Sequence, residues 1–147
     1  MTINYYKKTE YLLYNYKVLE INIVNMQQEI EYLKNNDGST GLSYDGISTS
    51  PTNRISSSTE DIALSNSEKI HYLERCIKKN ERLLDSVNRA MEGLTDIERL
   101  ILRQKYIEGK QWWQVASMAG YSERHCRSMR RNAIEKMGLG IFGETSV

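Results

Sequence analysis

Helix breakers and reactive side chains are scarce in this sequence. There is one proline, Pro51, so long stretches on either side of it are free to stay helical. Two cysteines, Cys76 and Cys126, cannot build a disulfide framework, which makes the cytoplasm the expected compartment. No run of about 18 apolar residues is present, so no membrane partner is expected. The opening MTINYYKKTEYLLYNYK has no apolar signal core. A glycine-rich phosphate loop, an HExxH helix and a GxSxG elbow are all missing, so no catalytic residue, no cofactor and no enzymatic activity is expected. His71 and Cys76 are separated by about 140° around a helix axis, and His125 and Cys126 are adjacent, so no metal site is expected from them. Cys126 is expected to be a small buried hydrophobe. One phenylalanine stands against ten tyrosines.

The net charge of +1 conceals an uneven distribution. Residues 1–93 carry 11 basic and 13 acidic side chains, whereas residues 94–147 carry 9 basic and 6 acidic. Arg124, Arg127, Arg130, Arg131 and Lys136 lie between Gly120 and Gly138, against Glu123 and Glu135. A compact basic segment on a mildly acidic body suits a nucleic-acid reader, because phosphate contacts dominate affinity. A solvated helix face carries the same pattern.

Heptad spacing organises the first two thirds of the chain. Leu12, Tyr16, Leu19, Ile23, Met26, Ile30 and Leu33 alternate at intervals of four and three. This predicts one long helix over residues 5–34, reaching about 45 Å. Ile70, Leu73, Ile77, Asn80, Leu84, Val87 and Met91 form a matching seam in a second helix, expected over residues 60–92. Ser58-x-x-Asp61 and Ser65-x-x-Glu68 both offer it a capping pattern. Asn80 either fixes register across the seam or lies at its solvated edge. Between the helices, 20 of the 25 residues 35–59 are Ser, Thr, Gly, Asn, Asp or Pro. Such a segment cannot bury enough apolar area to offset its ordering entropy, and is expected to be a disordered linker. The two helices are expected to form a hairpin arm, residues 1–93, that assembles a homo-oligomer through residues 5–34 and 60–92.

The C-terminal third carries shorter helices with explicit punctuation. Thr95-Asp96-Ile97-Glu98 is a capping box that starts a helix running to about Glu108, where Gly109 stops it. Residues 111–119 form a short helix ended by Gly120, and Ser122 caps a last helix expected to end at Gly138. Cys126, Met129, Ala133, Ile134 and Met137 form its apolar face. Glu123, Arg124, Arg127, Ser128 and Arg131 fall on the opposite face. This is a helix-turn-helix pattern over residues 94–138, with 139–147 as a tail. Its last helix can enter the major groove, where arginine pairs with guanine and glutamate accepts from cytosine. Lys110, Gln111 and Ser122 complete the candidate DNA-facing set. Trp112 is expected to fill the core between the motif helices, and Trp113 to face elsewhere.

The stretch LTDIERLILRQKYIEGKQWWQVASMAGYSERHCRSMRRNAIEKM, residues 94–137, resembles region four of bacterial sigma factors. The shared features are LT-x-x-E-R, Y-x-E-G, the V-A of the first motif helix, the G-Y-S turn, and Ala133 with Ile134 and Met137. The double tryptophan and long N-terminal helices look like phage late-gene transcriptional activators of the RinA and ArpU type. That resemblance implies an all-α protein in which Arg124, Arg127, Ser128 and Arg131 read promoter DNA. It also implies the bacterial host cytoplasm, and RNA polymerase as a further partner. Arg130 stands where a leucine is common, and Cys126 where a valine is usual. No second module fits in residues 1–93 to melt promoter DNA, so an activator or regulator is expected rather than a complete sigma factor. A small terminase subunit for DNA packaging, and a sigma-like adaptor that binds polymerase alone, are the alternative readings.

Overall fold

The computed structural model describes residues 3–36 and 55–144, and every regular element among them is helical. The helices are α1 (Tyr5–Tyr14), α2 (Tyr16–Asn35), α3 (Ile55–Glu92), α4 (Asp96–Leu102), α5 (Trp112–Ala119) and α6 (Glu123–Phe142). A π-helical turn, Arg103–Ile107, continues α4. The expected all-α class is therefore observed.

Several expected boundaries are corrected. Residues 5–34 do not form one unbroken helix. Asn15 separates α1 from α2, because both its backbone N–H and its side-chain Nδ2 donate to the Tyr11 carbonyl, at 3.0 and 2.7 Å. An asparagine side chain that competes for a helix carbonyl distorts the helix locally. The next backbone bond, from Leu19 to Asn15, resumes the ladder at once. α3 begins at Ile55, ahead of the expected Glu60. The proposed caps at Ser58 and Ser65 therefore lie inside the helix, where no proline or glycine stops propagation. Residues 37–54, the rest of the expected linker, lie outside the described residues.

The chain divides into two compact units, residues 1–21 with 81–147, and residues 22–80. The expected boundary at residue 93 coincides with neither. In the smaller unit, Ile23, Ile30, Leu33 and Ile77 are buried seam residues. Asn80 donates from Nδ2 to Asn22 Oδ1 at 3.0 Å, and Asn66 donates to the Asn36 carbonyl at 3.2 Å. Residue 22 opposite 80 and residue 36 opposite 66 make the two segments antiparallel. Asn80 is thus paired across the seam.

The larger unit holds the main core. Leu12, Leu13, Val87, Met91, Leu94, Leu102, Tyr106, Ala133, Ile134 and Met137 form one buried cluster. The Tyr106 hydroxyl donates to Glu10 at 2.8 Å. Burial and that bond push the phenol far above its ordinary range. α6 runs past Gly138 to Phe142, with Gly143 (φ 73°) as the left-handed cap. Gly138 does not end the helix. It is buried where α1 crosses, and a Cβ there would lie 3.2 Å from Thr9 Oγ1. Thr9 is itself fully buried and donates to the Tyr5 carbonyl at 2.8 Å. Residues expected to be a tail extend this contact, as Phe142 packs its ring 5.1 Å from Tyr5 and Glu144 accepts from the Tyr5 hydroxyl.

Candidate functional site

The candidate site is built on α4, α5 and α6. The capping box at Thr95 forms as expected. Glu98 N–H donates to Thr95 Oγ1 at 3.3 Å, and Thr95 N–H donates to Glu98 Oε2 at 3.1 Å. Lys136 Nζ reaches the other Glu98 oxygen at 2.6 Å, which fixes α6 to the start of α4. Burial disfavours the charged Glu98, but bonds from Lys136 and Thr95 outweigh it and hold the carboxyl below its ordinary range. Lys136, counted in the basic segment, is therefore occupied in tying helices together. Arg99 was not expected to have a role. Its guanidinium donates to the carbonyls of Met91 and Leu94, both at 3.1 Å, and so closes the C-terminal end of α3.

Gly120 (φ 74°) makes the left-handed turn between α5 and α6, as its lack of Cβ predicts. Ser122 then caps α6, accepting from His125 N–H at 3.2 Å. Ile101, Val115, Ala119 and Cys126 form a second buried cluster under the turn, with Met129 packed at its margin. Burial pushes the Cys126 thiol up, which suits the expected apolar role. The predicted faces of α6 are observed: Arg124, Arg127, Ser128 and Arg131 are exposed, and Glu123 is half-buried.

The exposed face is partly ion-paired. Arg127 lies 3.6 Å from Glu123, and Arg131 lies 3.8 Å from Glu135. Surface pairs of this length are weak and yield readily to a stronger anion. Lys110 Nζ touches Met118 Sδ at 3.7 Å. Gln111 precedes α5, and its N–H donates to Gln114 Oε1 at 3.0 Å. Lys110 and Gln111 thus flank the start of α5, away from the outer face of α6 in sequence.

Trp112 does not fill the core as expected. It packs half-buried at the edge of the second cluster, and three cations surround its ring. Lys105 Nζ, Arg127 Cζ and Arg130 Cζ lie 5.0, 5.5 and 5.2 Å from the ring centroid. Trp113 is exposed. His125 packs its ring 4.8 Å from Tyr121, and His71 lies 3.6 Å from Glu74.

These helices define a class by geometry: an all-α protein with a capped, arginine-faced helix joined by a three-residue turn to the helix beneath it. The chain belongs to the family described as protein of unknown function (DUF722), whose model matches residues 5–138. No curated protein and no solved structure matches the chain.

Proposed function

We propose that this protein is a sequence-specific DNA-binding transcription regulator, an activator of phage late genes that reads promoter DNA with residues 123–137. One observation carries the reading. Arg124, Arg127, Ser128 and Arg131 share an exposed face in the first half of α6, while the opposite face is locked in a core. A helix held by its core fixes where three outward arginines start, and their two-pronged donors can reach base edges from there. The resemblance of residues 94–137 to sigma region four supports the same assignment. Glu123 stands at the helix start, where it can accept from cytosine once Arg127 turns to DNA.

The homo-oligomer belongs to the same reading. The heptad seam of residues 12–19 is spent within the chain, as Leu12 is buried and Tyr16 and Leu19 pack against the core. Tyr11, Tyr14, Val18 and Ile21 repeat at three and four residues on another side, each more than half exposed, with the Tyr14 ring also packed 4.5 Å from that of Tyr106. This stripe is the surface available for pairing motifs, which multiplies affinity through effective concentration. No helix among the described residues is long and apolar enough to cross a membrane.

A genome-wide map of DNA occupancy tests the proposal. Occupancy at a late promoter is expected. Peaks at a packaging site would replace it with the terminase reading, and an absence of DNA peaks would replace it with the polymerase adaptor.

A further inference from the structure

The cations around Trp112 are more than the packing of that ring requires. Lys105 comes from the π turn after α4, and Arg127 and Arg130 come from α6, yet all three converge on one indole. A ring quadrupole attracts a cation over its face, so one neighbour is readily explained. Three bring mutual repulsion, and only Arg127 has a carboxylate partner, Glu123. Among the described residues no carboxylate lies within ion-pair distance of Lys105 or Arg130. Glu10 and Glu135 line a pocket with Arg130 but lie beyond ion-pair distance of it; Glu10 accepts from the Tyr106 hydroxyl and Glu135 faces Arg131 at 3.8 Å. Arg130 Nε is buried and has no acceptor. Three cations thus share one ring with a single ion-paired carboxylate, Glu123, among them, and Lys105 Nζ donates to the Lys110 carbonyl at 3.4 Å.

We propose that Trp112, Lys105, Arg127 and Arg130 form a clamp for the sugar-phosphate backbone, seating one strand of duplex DNA beside the outer face of α6. The inference rests on the DNA-binding reading above and adds Lys105 and Arg130 to its contacts. A phosphodiester supplies the missing negative charge and two terminal oxygens, which match the guanidinium fork. Arg127 belongs both to the outer face and to the ring cluster, so a ligand lying along that face comes within reach of the clamp. The ring holds the cations in place beforehand, which lowers the entropy cost of fixing them on binding. Backbone contacts position a protein on the duplex and carry no sequence information. The clamp thus sets register, while Arg124 and Arg131 read.

The test uses the full chain and a random-sequence duplex of about 30 bp, with affinity measured across a salt series. Lys105→Gln and Arg130→Gln are each expected to weaken binding about fivefold at low salt and to reduce the slope of log K against log salt by about 0.9. Arg130→Lys is expected to restore the slope. Selectivity for any preferred site over random DNA stays unchanged in all three variants. Binding by the wild type with an unaltered slope in both glutamine variants overturns the clamp and leaves the DNA-binding reading standing. Absence of duplex binding by the wild type overturns both. Polyglutamate that displaces the duplex at equal charge concentration, with the loss carried by Lys105 and Arg130, overturns the clamp in favour of an acidic protein partner. If Arg130→Gln fails to fold by circular dichroism, Lys105→Gln decides alone.

Discussion

From Glu123 to Arg131, α6 turns Arg124, Arg127, Ser128 and Arg131 to solvent. From Ala133 to Phe142 the same helix is held by its surroundings. Ala133, Ile134 and Met137 are buried among residues of α1, α3 and α4, Lys136 is bound to Glu98, and Gly138 lies against Thr9. Basic side chains occur in both halves, four arginines in the first and Lys136 in the second. What separates them is the partner each side chain finds. A cation with a short bond to a buried carboxylate is structural, whereas one with only a long surface pair is held weakly. The second half anchors the helix on α1, α3 and α4, and the first half keeps one face exposed while Cys126 is buried on the other.

Substitutions in the two halves should therefore change different quantities. The largest effect is expected from Ile134→Ala in the anchoring half. Emptying this fully buried site should cost about 2–5 kcal/mol in unfolding free energy, read from urea denaturation. In the reading half, Arg124→Ala and Arg131→Ala should each weaken binding to a specific site by about 1–3 kcal/mol. Their unfolding free energy should stay within about 0.5 kcal/mol of the wild type. A stability loss equal to that of Ile134→Ala would erase the distinction between the halves.

Gly138→Ala sharpens the account of the anchor. Alanine favours the helix by about 0.5–1 kcal/mol, but its Cβ meets Thr9 Oγ1 at 3.2 Å. Thr9 is enclosed and hydrogen-bonded to Tyr5, so it has little room to give. A net destabilisation of about 1 kcal/mol is expected. Thr9→Ala should partly relieve it, giving a favourable coupling in a double-mutant cycle.

The smallest effect concerns pH. The folded Glu98 carboxyl is held below its ordinary value of 4.5. A depressed acid stabilises the fold fully above its unfolded value, and that contribution is lost as pH falls through the folded value. Glu98→Gln should lower stability by under about 1 kcal/mol at neutral pH, because Lys136 is half exposed. The gap from wild type should close on acidification. Urea midpoints measured from neutral pH into the acid range check this, and a gap that persists in acid would remove the ion pair from the anchor.

Much of the fold was legible in the sequence because its signals are periodic or local. The seam residues Ile23, Ile30, Leu33, Ile77, Leu84, Val87 and Met91 are buried, as heptad spacing requires. The Thr95 box, the Gly120 turn and the Ser122 cap each depend on residues within one turn of the chain. The misses depend on contacts that sequence spacing does not encode. Gly138 carries the same local signal whether it ends a helix or admits a crossing one, and only the position of Thr9 separates the two. The break at Asn15 needs a side-chain bond that a solvated asparagine would not make. The π turn after α4 has no distinguishing residue type. In the candidate site, the outward residues of α6 followed from helical period. The gathering of Lys105 and Arg130 on Trp112 did not, since it joins positions 105, 112 and 130 through tertiary packing.

The central claim is that the outer face of α6 reads DNA sequence from a rigid support. Selection of the full chain against a random duplex library, run in parallel with Arg124→Ala and Arg131→Ala, tests it most directly. The account predicts that the wild type enriches one sequence motif and that each variant loses preference at particular positions of it while remaining folded. Enrichment of no motif by the wild type, or of an identical motif by all three proteins, would contradict it.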